Sequence, residues 1–203
     1  MRVSRRALER QQRRALLLEA AGRVFGRKPF DEATMQEVAA EAEIGMQGLY
    51  EHFPSKQELY EQVMEDRAER FRAMADASLL GHSDPMDQLR VLAEVYTRQF
   101  RERPMLLPMF IRDRVHHEWG FQSRFGARFE VIYREETRRF QGIMEAAIEK
   151  NMMLPMDSRF LTQLGMGILE ASLHYSHNHP EEEMSTCVNR AMDCLLRGVG
   201  VAS

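Results

Sequence analysis

Apolar residues recur along most of the chain at intervals of three and four positions, which is the period of an α-helix. No sustained alternation of apolar and polar residues, the pattern of a β-strand, interrupts it. The pattern therefore predicts an all-α fold of about nine helices. The predicted helices cover 5–28, 35–42, 46–53, 55–80, 85–103, 104–117, a stretch from about 126 to 151, 155–178 and 180–197.

Capping residues mark a short two-helix segment near the N-terminus. Thr34 followed by Glu37, and Ser55 followed by Glu58, are capping boxes that each predict the start of a helix. Between them, Glu43–Gly45 predicts a tight turn. A helix, a three-residue turn and a second helix can present that second helix to the major groove of DNA. The same geometry also occurs in helices that only pack against each other.

The charge distribution supports a nucleic-acid partner, although the net charge of −3 alone does not. Residues 1–28 contain nine lysines and arginines against Glu9 and Glu19, a net charge of +7, so the rest of the chain has −10. A basic head on an acidic body suggests that only the head meets a polyanion. The segment Arg2–Arg14 has three open interpretations: phosphate contacts, insertion into a minor groove, or a solvated disordered tail.

The head resembles the DNA-binding domain of the TetR family of transcription regulators over about residues 15–64. The matching residues are Leu18-Glu19-Ala20-Ala21, Val24-Phe25, Thr34, Val38-Ala39, Glu41-Ala42, Ile44 and the run Leu49-Tyr50-Glu51-His52-Phe53-Pro54-Ser55-Lys56-Gln57-Glu58-Leu59. The resemblance implies a homodimeric, ligand-responsive repressor, not an enzyme, that binds double-stranded DNA at a near-palindromic operator. We expect residues 1–56, with a basic arm at 1–14, to bind DNA, and residues 57–203 to bind ligand and dimerise.

The resemblance also implies which residues contact DNA. Tyr50 and His52 match positions that approach phosphates and base edges, and Lys56 matches a lysine whose ammonium suits a phosphate. Gln47 can pair with adenine, and Met46 can contact a thymine methyl group. The expected DNA-binding residues are Thr34, Gln36, Met46, Gln47, Gly48, Tyr50, His52 and Lys56.

Three positions depart from the family pattern. Glu43 replaces a usual turn glycine, Gly45 replaces a capping serine, and Gly48 replaces a small hydroxyl residue. Glu51 would repel phosphate unless it faces a cytosine amine or solvent. Glu43, Gly48 and Glu51 favour an alternative function: a helical small-molecule-binding protein whose head has lost DNA binding.

The last two predicted helices have apolar seams that suit a four-helix interface between two subunits. An intramolecular core is the alternative for the same seams. The expected interface residues are Leu164, Ile168, Ala171, Tyr175, Met184, Cys187, Ala191, Cys194 and Leu195.

The body between these elements is rich in methionine and aromatic residues. Thioethers and rings suit a pocket for a hydrophobic small-molecule effector, although for any single residue an ordinary core position is the alternative. The candidate pocket residues are Met105, Met109, Arg112, His116, Trp119, Phe125, Tyr133, Met144, Met166 and Glu170.

Other chemistry finds little support in the sequence. His116-His117 and His174, His177 and His179 have no cysteine beside them, so we expect no metal site. No nucleophile motif, phosphate loop or dinucleotide motif occurs, so we expect no cofactor. No membrane-spanning stretch or apolar leader is evident, which predicts a cytoplasmic protein without a membrane partner.

Overall fold

The computed structural model describes residues 4–115 and 125–199, and all nine secondary-structure elements in these ranges are α-helices, which confirms the predicted class. The helices are α1 (Arg5–Arg27), α2 (Met35–Glu41), α3 (Met46–Tyr50), α4 (Lys56–Leu79), α5 (Pro85–Glu102), α6 (Leu106–Val115), α7 (Gly126–Glu149), α8 (Ser158–Asn178) and α9 (Met184–Val199). No helix in the described part is both long and apolar enough to span a membrane.

Two predicted helix boundaries are wrong. α3 ends at Tyr50 instead of Phe53, because the N–H groups of His52 and Phe53 both donate to the carbonyl oxygen of Leu49 and close a turn. α9 begins at Met184, after the turn that contains Glu181–Glu183, so these glutamates precede the first helical turn instead of occupying it.

The helices pack as two compact units, Met1–Arg67 with Pro104–Glu130, and Ala68–Arg103 with Val131–Ser203. The first unit therefore contains the predicted head together with the first part of α4, α6 and the start of α7. The expected functional division at residues 56 and 57 stays a prediction.

The first unit is built on an aromatic cluster between α1 and α4. The rings of Phe25 and Tyr60 meet edge to face at 4.9 Å between centroids, and Phe30 approaches Tyr60 in the same way at 5.0 Å. α1 also contacts the backbone before α6: a Cβ atom at Gly26 would lie 2.4 Å from the carbonyl oxygen of Met105. Glycine at this position is what lets the two segments approach so closely.

The second unit is stabilised by apolar packing and by ion pairs between α4 and α7. Arg139 of α7 binds Asp76 of α4 at 2.6 Å, and Arg72 of α4 binds Glu135 and Glu136 of α7. Burial raises the pKa of Glu136 above its ordinary value, although both arginines oppose the shift. The carboxylate of Glu136 is thus held in place at a desolvation cost.

Candidate nucleic-acid interface

The short helix α3 has one buried face and one exposed face. Leu49 and Phe53 are fully buried in the first unit, whereas Gln47 is exposed and Tyr50 is 47% exposed. Met46 and Gly48 are partly exposed beside them. Because Leu49 and Phe53 hold this segment against the head, the side chains of Gln47 and Tyr50 point outward, as a recognition helix requires.

The start of α2 presents two more of the predicted DNA-binding residues. The hydroxyl of Thr34 accepts a hydrogen bond from the N–H of Glu37 at 3.2 Å, and the Glu37 carboxylate accepts one from the N–H of Thr34 at 3.0 Å. The predicted capping box is therefore confirmed. Thr34 and Gln36 are both exposed in the first turn.

The turn between α2 and α3 explains why a glycine is usual there. Glu43 adopts φ +54°, a left-handed conformation that costs an L-residue energy. Gly45 then caps α3 without a side-chain hydrogen bond. The turn is thus formed as predicted, with backbone strain at Glu43.

Lys56, expected to bind phosphate, makes contacts within the chain. Its ammonium donates to the carbonyl oxygens of Phe30 at 2.7 Å and Ala33 at 2.8 Å, lies 3.4 Å from the carbonyl of Asp31, and sits 4.6 Å from the Phe30 ring centroid. An ammonium has three N–H donors. The structure thus shows Lys56 holding the segment between α1 and α2, a role that sequence reasoning missed, and its phosphate contact stays a prediction.

Arg14 of α1 anchors the end of α3, and local sequence gave no signal for this contact. Its guanidinium donates to Gln62 of α4 at 2.7 Å and to the carbonyl of His52 at 3.5 Å, and lies 4.5 Å from the ring centroid of Phe53. Partial burial, followed by the positive charges of Arg10, Arg13 and Arg14, lowers the pKa of His52. The neutral imidazole is therefore favoured in the free protein.

Part of the basic charge counted in the head is used to join α1 to α2. Arg23 and Arg27 both bind the carboxylate of Glu41, and Lys28 binds Glu37. These ion pairs lower the pKa values of both glutamates. The head's charge is thus less available to DNA than the sequence count suggests.

α8 presents an apolar stripe on its outer face. Leu164, Ala171 and Tyr175 are exposed and Ile168 is partly exposed, at the helical spacing predicted for the dimer interface. Phe160, which is 56% exposed, extends the stripe by one turn. Sequence reasoning missed Phe160, although its position four residues before Leu164 was a usable signal.

The predicted interface residues of α9 divide into two groups. Cys194 is exposed, and Met184 and Ala191 are partly exposed. Cys187 and Leu195 are 7% and 3% exposed, so they already pack inside the single chain. A partner subunit would therefore meet mainly the first group.

The predicted pocket residues that the structure describes are divided between the two units. Met105, Met109 and Phe125 belong to the first unit, and Met109 and Phe125 are buried there. Tyr133, Met144, Met166 and Glu170 belong to the second unit, where Met144 packs near Gly165 and Phe140. His116, Trp119 and the side chain of Arg112 lie outside the described residues. The pocket stays a prediction.

No cluster of three histidine, cysteine or acidic residues suited to a metal occurs in the part of the chain that the structure describes. His179 instead stacks on Tyr175 at 4.2 Å between centroids, and its Nδ1 lies 3.1 Å from Glu181. These contacts give His179 a structural role next to the start of α9.

Comparison with known proteins places this head in a family. Residues 17–63 match the family model described as "Bacterial regulatory proteins, tetR family". The matched range contains α2, α3 and the first turns of α4.

Two curated proteins are similar to this chain over part or most of its length. The chain is 34% identical over 89 residues to the HTH-type transcriptional activator FasR of Mycolicibacterium smegmatis, a match that spans 44% of this chain and only 41% of FasR. It is 27% identical to the nucleoid occlusion factor SlmA of Photobacterium profundum, over 70% of this chain and 71% of SlmA.

Solved structures agree on the fold over nearly the whole chain. The regulator FadR of Bacillus subtilis, in complex with stearoyl-CoA, superposes with a TM-score of 0.79 at 12% identity, covering 91% of this chain and 98% of that one. With its helix-turn-helix geometry and the match at residues 17–63, the head of this chain is a DNA-binding domain of the TetR family type.

Proposed function

We propose that the chain acts as a homodimeric repressor that binds a near-palindromic operator through α3 and is released by a largely apolar small molecule. The observation that carries the proposal is the orientation of α3. Leu49, and Phe53 just after the helix, are fully buried, while Gln47 and Tyr50 face solvent. Exposed amide and phenol groups on a rigidly held helix can hydrogen-bond to base edges and phosphates in a major groove.

Dimerisation is supported by the exposed stripe of α8 and by the exposed part of α9. A two-fold interface brings the same surface of both subunits together, so an apolar stripe can bury itself against its copy. Two heads would then reach successive major grooves about 34–36 Å apart on one side of the duplex. This spacing sets the separation of the two half-sites, and the two-fold symmetry of the dimer is what calls for a near-palindromic operator.

Release by a ligand is supported by the continuity of α4 and by one structural relative. α4 runs from Lys56, beside α3, to Leu79 without interruption. A ligand that favours a different position of α4 would shift the head away from the spacing that DNA requires, by no more than its differential affinity for the two states. The FadR relative was solved with stearoyl-CoA, which supports an apolar acyl ligand class for this chain.

Repression is the simpler regulatory outcome for this architecture. A bound dimer that covers promoter DNA blocks transcription with no further surface, whereas activation needs an additional contact with the transcription machinery. Because the relative FasR is named an activator, a reporter assay must score both directions. Lower expression with the protein present, restored by an acyl ligand, is expected.

One observation favours the alternative of a ligand-binding protein without DNA binding. Glu51, at the end of α3, is exposed and lies 3.4 Å from the amide of Gln47, so a carboxylate stands on the proposed reading surface. Its charge would oppose an approaching phosphate. Duplex binding by the purified protein separates the two functions.

The test is selection of duplexes from a random pool, followed by gel shift. Replacing Tyr50 with Ala should weaken binding to the selected duplex at least tenfold and leave the dimer intact. Leu80→Ala is the matched control, because Leu80 is an exposed apolar residue in the second unit. Equal binding by Tyr50→Ala and wild type would overturn the placement of α3 on DNA, and failure of the wild type to retain any duplex would favour the alternative.

A further inference from the structure

We infer that α1 carries a second DNA contact, a row formed by Arg6, Arg10 and Arg13 that binds the phosphate backbone beside the base pairs read by α3. We call these three residues the arginine row. The inference rests on the proposed DNA-binding function and adds a surface to it that is separate from the recognition helix.

The arginine row lies on a helix and not on a disordered arm. α1 begins at Arg5, and the Ser4 hydroxyl caps it by accepting a hydrogen bond from the N–H of Ala7 at 3.2 Å. Positions 6, 10 and 13 are spaced by four and three residues, so their side chains share one face of the helix. By helix rise the row spans roughly 10 Å.

The row continues the face of α1 that enters the head's core. Seven residues are almost two full helical turns, so residues seven apart lie nearly above one another. Arg10 is thus followed on the same face by Leu17 and then Val24, and Arg13 by Ala20, all three of which are buried. The arginines themselves are exposed. The arginine row therefore lies on the same face of α1 as the buried residues, in the part of the helix that is exposed.

The arginine row differs from the head's other basic residues in its partners. Arg5 binds Glu9, Arg14 binds Gln62, and the basic residues at the end of α1 bind Glu37 and Glu41. The guanidinium groups of the row have no ion pair or hydrogen bond with any residue in the ranges 4–115 and 125–199. Three exposed cations on one face, without an acidic partner, suit a polyanion.

The row is also close to the reading helix. The positive charges of Arg10 and Arg13 contribute to the lowered pKa of His52, just after α3. The neighbouring Arg14 reaches the carbonyl of His52 directly. A duplex that meets the exposed face of α3 therefore brings its backbone near the row.

The helical state of the row selects phosphate over the minor groove. An α-helix with its side chains is about 10–12 Å across, whereas the minor groove of B-DNA is about 6 Å wide. An extended arm fits into that groove and a helix does not. The guanidinium groups are thus placed to lie along the phosphates, which gives affinity and register without base preference.

The experiment measures the dissociation constant of a 40-base-pair random duplex against salt concentration. The triple variant Arg6→Gln, Arg10→Gln and Arg13→Gln should lower the slope of log K against log salt by about 0.9 for each phosphate that the row no longer neutralises, or roughly 3 per bound subunit. The triple lysine variant of the same positions keeps the charge and should keep most of the slope. Glutamine and lysine are both good helix formers, and circular dichroism checks that α1 stays folded.

A matched control tests whether net charge alone explains the effect. Arg90→Gln, Arg101→Gln and Arg138→Gln remove the same charge from exposed positions in the second unit and should leave the slope unchanged. An equal fall in the slope of this control would overturn the row as a local contact. A fall in preference for A·T-only over G·C-only duplexes in the glutamine variant would show minor-groove insertion and would also overturn it.

The same measurements distinguish failure of this inference from failure of the proposed function. If Tyr50→Ala weakens binding but the glutamine triple variant keeps the wild-type slope, the arginine row is wrong and α3 still reads DNA. If the wild type shows no salt-dependent binding to any duplex, both fail.

Discussion

The ammonium of Lys56, the first residue of α4, lies 2.7 Å from the carbonyl oxygen of Phe30 in the segment between α1 and α2. A second carbonyl, that of Ala33, accepts from the same ammonium at 2.8 Å. A side chain that the family resemblance assigns to DNA thus joins two parts of the free head.

This contact predicts that Lys56→Met destabilises the protein by about 1–3 kcal/mol, since the variant cannot form the charge-assisted hydrogen bonds and two carbonyls need new partners. Urea unfolding measures the change. Lys28→Met is the control, because Lys28 makes an exposed ion pair with Glu37 that is worth about 0–1 kcal/mol. Wild-type stability in Lys56→Met, together with a flatter salt dependence of DNA binding, would instead assign Lys56 to phosphate.

Gly26 and Gly22 of α1 should respond oppositely to alanine. A Cβ atom at Gly26 would lie 2.4 Å from the Met105 carbonyl oxygen, so Gly26→Ala forces backbone apart and should cost about 1–3 kcal/mol. At Gly22 the nearest atoms, on Leu106 and Val63, are 3.9 and 4.0 Å away. Gly22→Ala should therefore stabilise the helix by up to about 1 kcal/mol. Thermal unfolding of the two variants decides, and similar melting temperatures would contradict the close approach.

Glu43→Gly should stabilise the head by about 0.5–1 kcal/mol, because glycine adopts the left-handed conformation without steric strain. The gain is partly offset because glycine loses more conformational entropy on folding than glutamate does. Asn151→Gly is the matched comparison, because Asn151 has the same φ of +54° and asparagine tolerates this conformation better. A smaller gain is expected there. Denaturant midpoints measure both, and a loss of stability in Glu43→Gly would show that its side chain has a stabilising contact.

His52 predicts a pH dependence of both stability and DNA binding. Its pKa is lowered below the ordinary 6.5 in the free protein, so its contribution to stability is present above pH 6.5 and is lost as the pH falls through the lowered value. A nearby phosphate would favour the protonated imidazole and raise this pKa. DNA binding should therefore take up a proton and strengthen as the pH falls through the window between the two pKa values.

The measurement is the dissociation constant of a selected duplex at pH 8, 7 and 6 and constant ionic strength, for wild type and His52→Gln. The variant should lose the part of the pH dependence that belongs to the imidazole. An identical pH profile in both proteins would place His52 away from the phosphates.

The apolar stripe of α8 predicts that Leu164→Asp gives a monomer, since a carboxylate in an apolar two-fold interface is desolvated and faces its own copy. Gln163→Asp is the matched control, because Gln163 is exposed one residue away on a different face of α8. Sedimentation equilibrium distinguishes the two. A dimeric Leu164→Asp protein would move the interface to another surface.

Much of the fold was readable from the sequence because its signals are local. The capping pair Thr34 and Glu37 lies within one helical turn, and Asp84 followed by Pro85 caps α5 as expected. The family resemblance assigned Leu49 and Phe53 to packing, and both residues are buried. The end of α3 was misplaced because the turn after it is closed by two backbone hydrogen bonds to the carbonyl oxygen of Leu49, and the pattern of apolar residues does not distinguish such a turn from a further turn of helix.

By itself, the sequence determined the helical class, the position of the helix-turn-helix and the family resemblance of the head, because the helical period, the capping residues and the motif all depend on neighbouring residues. Only the tertiary structure decided which charges remain for a partner. Lys56 and Arg14 donate hydrogen bonds to residues 23–48 positions away in the chain, whereas Arg6, Arg10 and Arg13 form no hydrogen bond or ion pair in the described part. Such distinctions depend on contacts between segments far apart in sequence, and these exist only once the helices have packed.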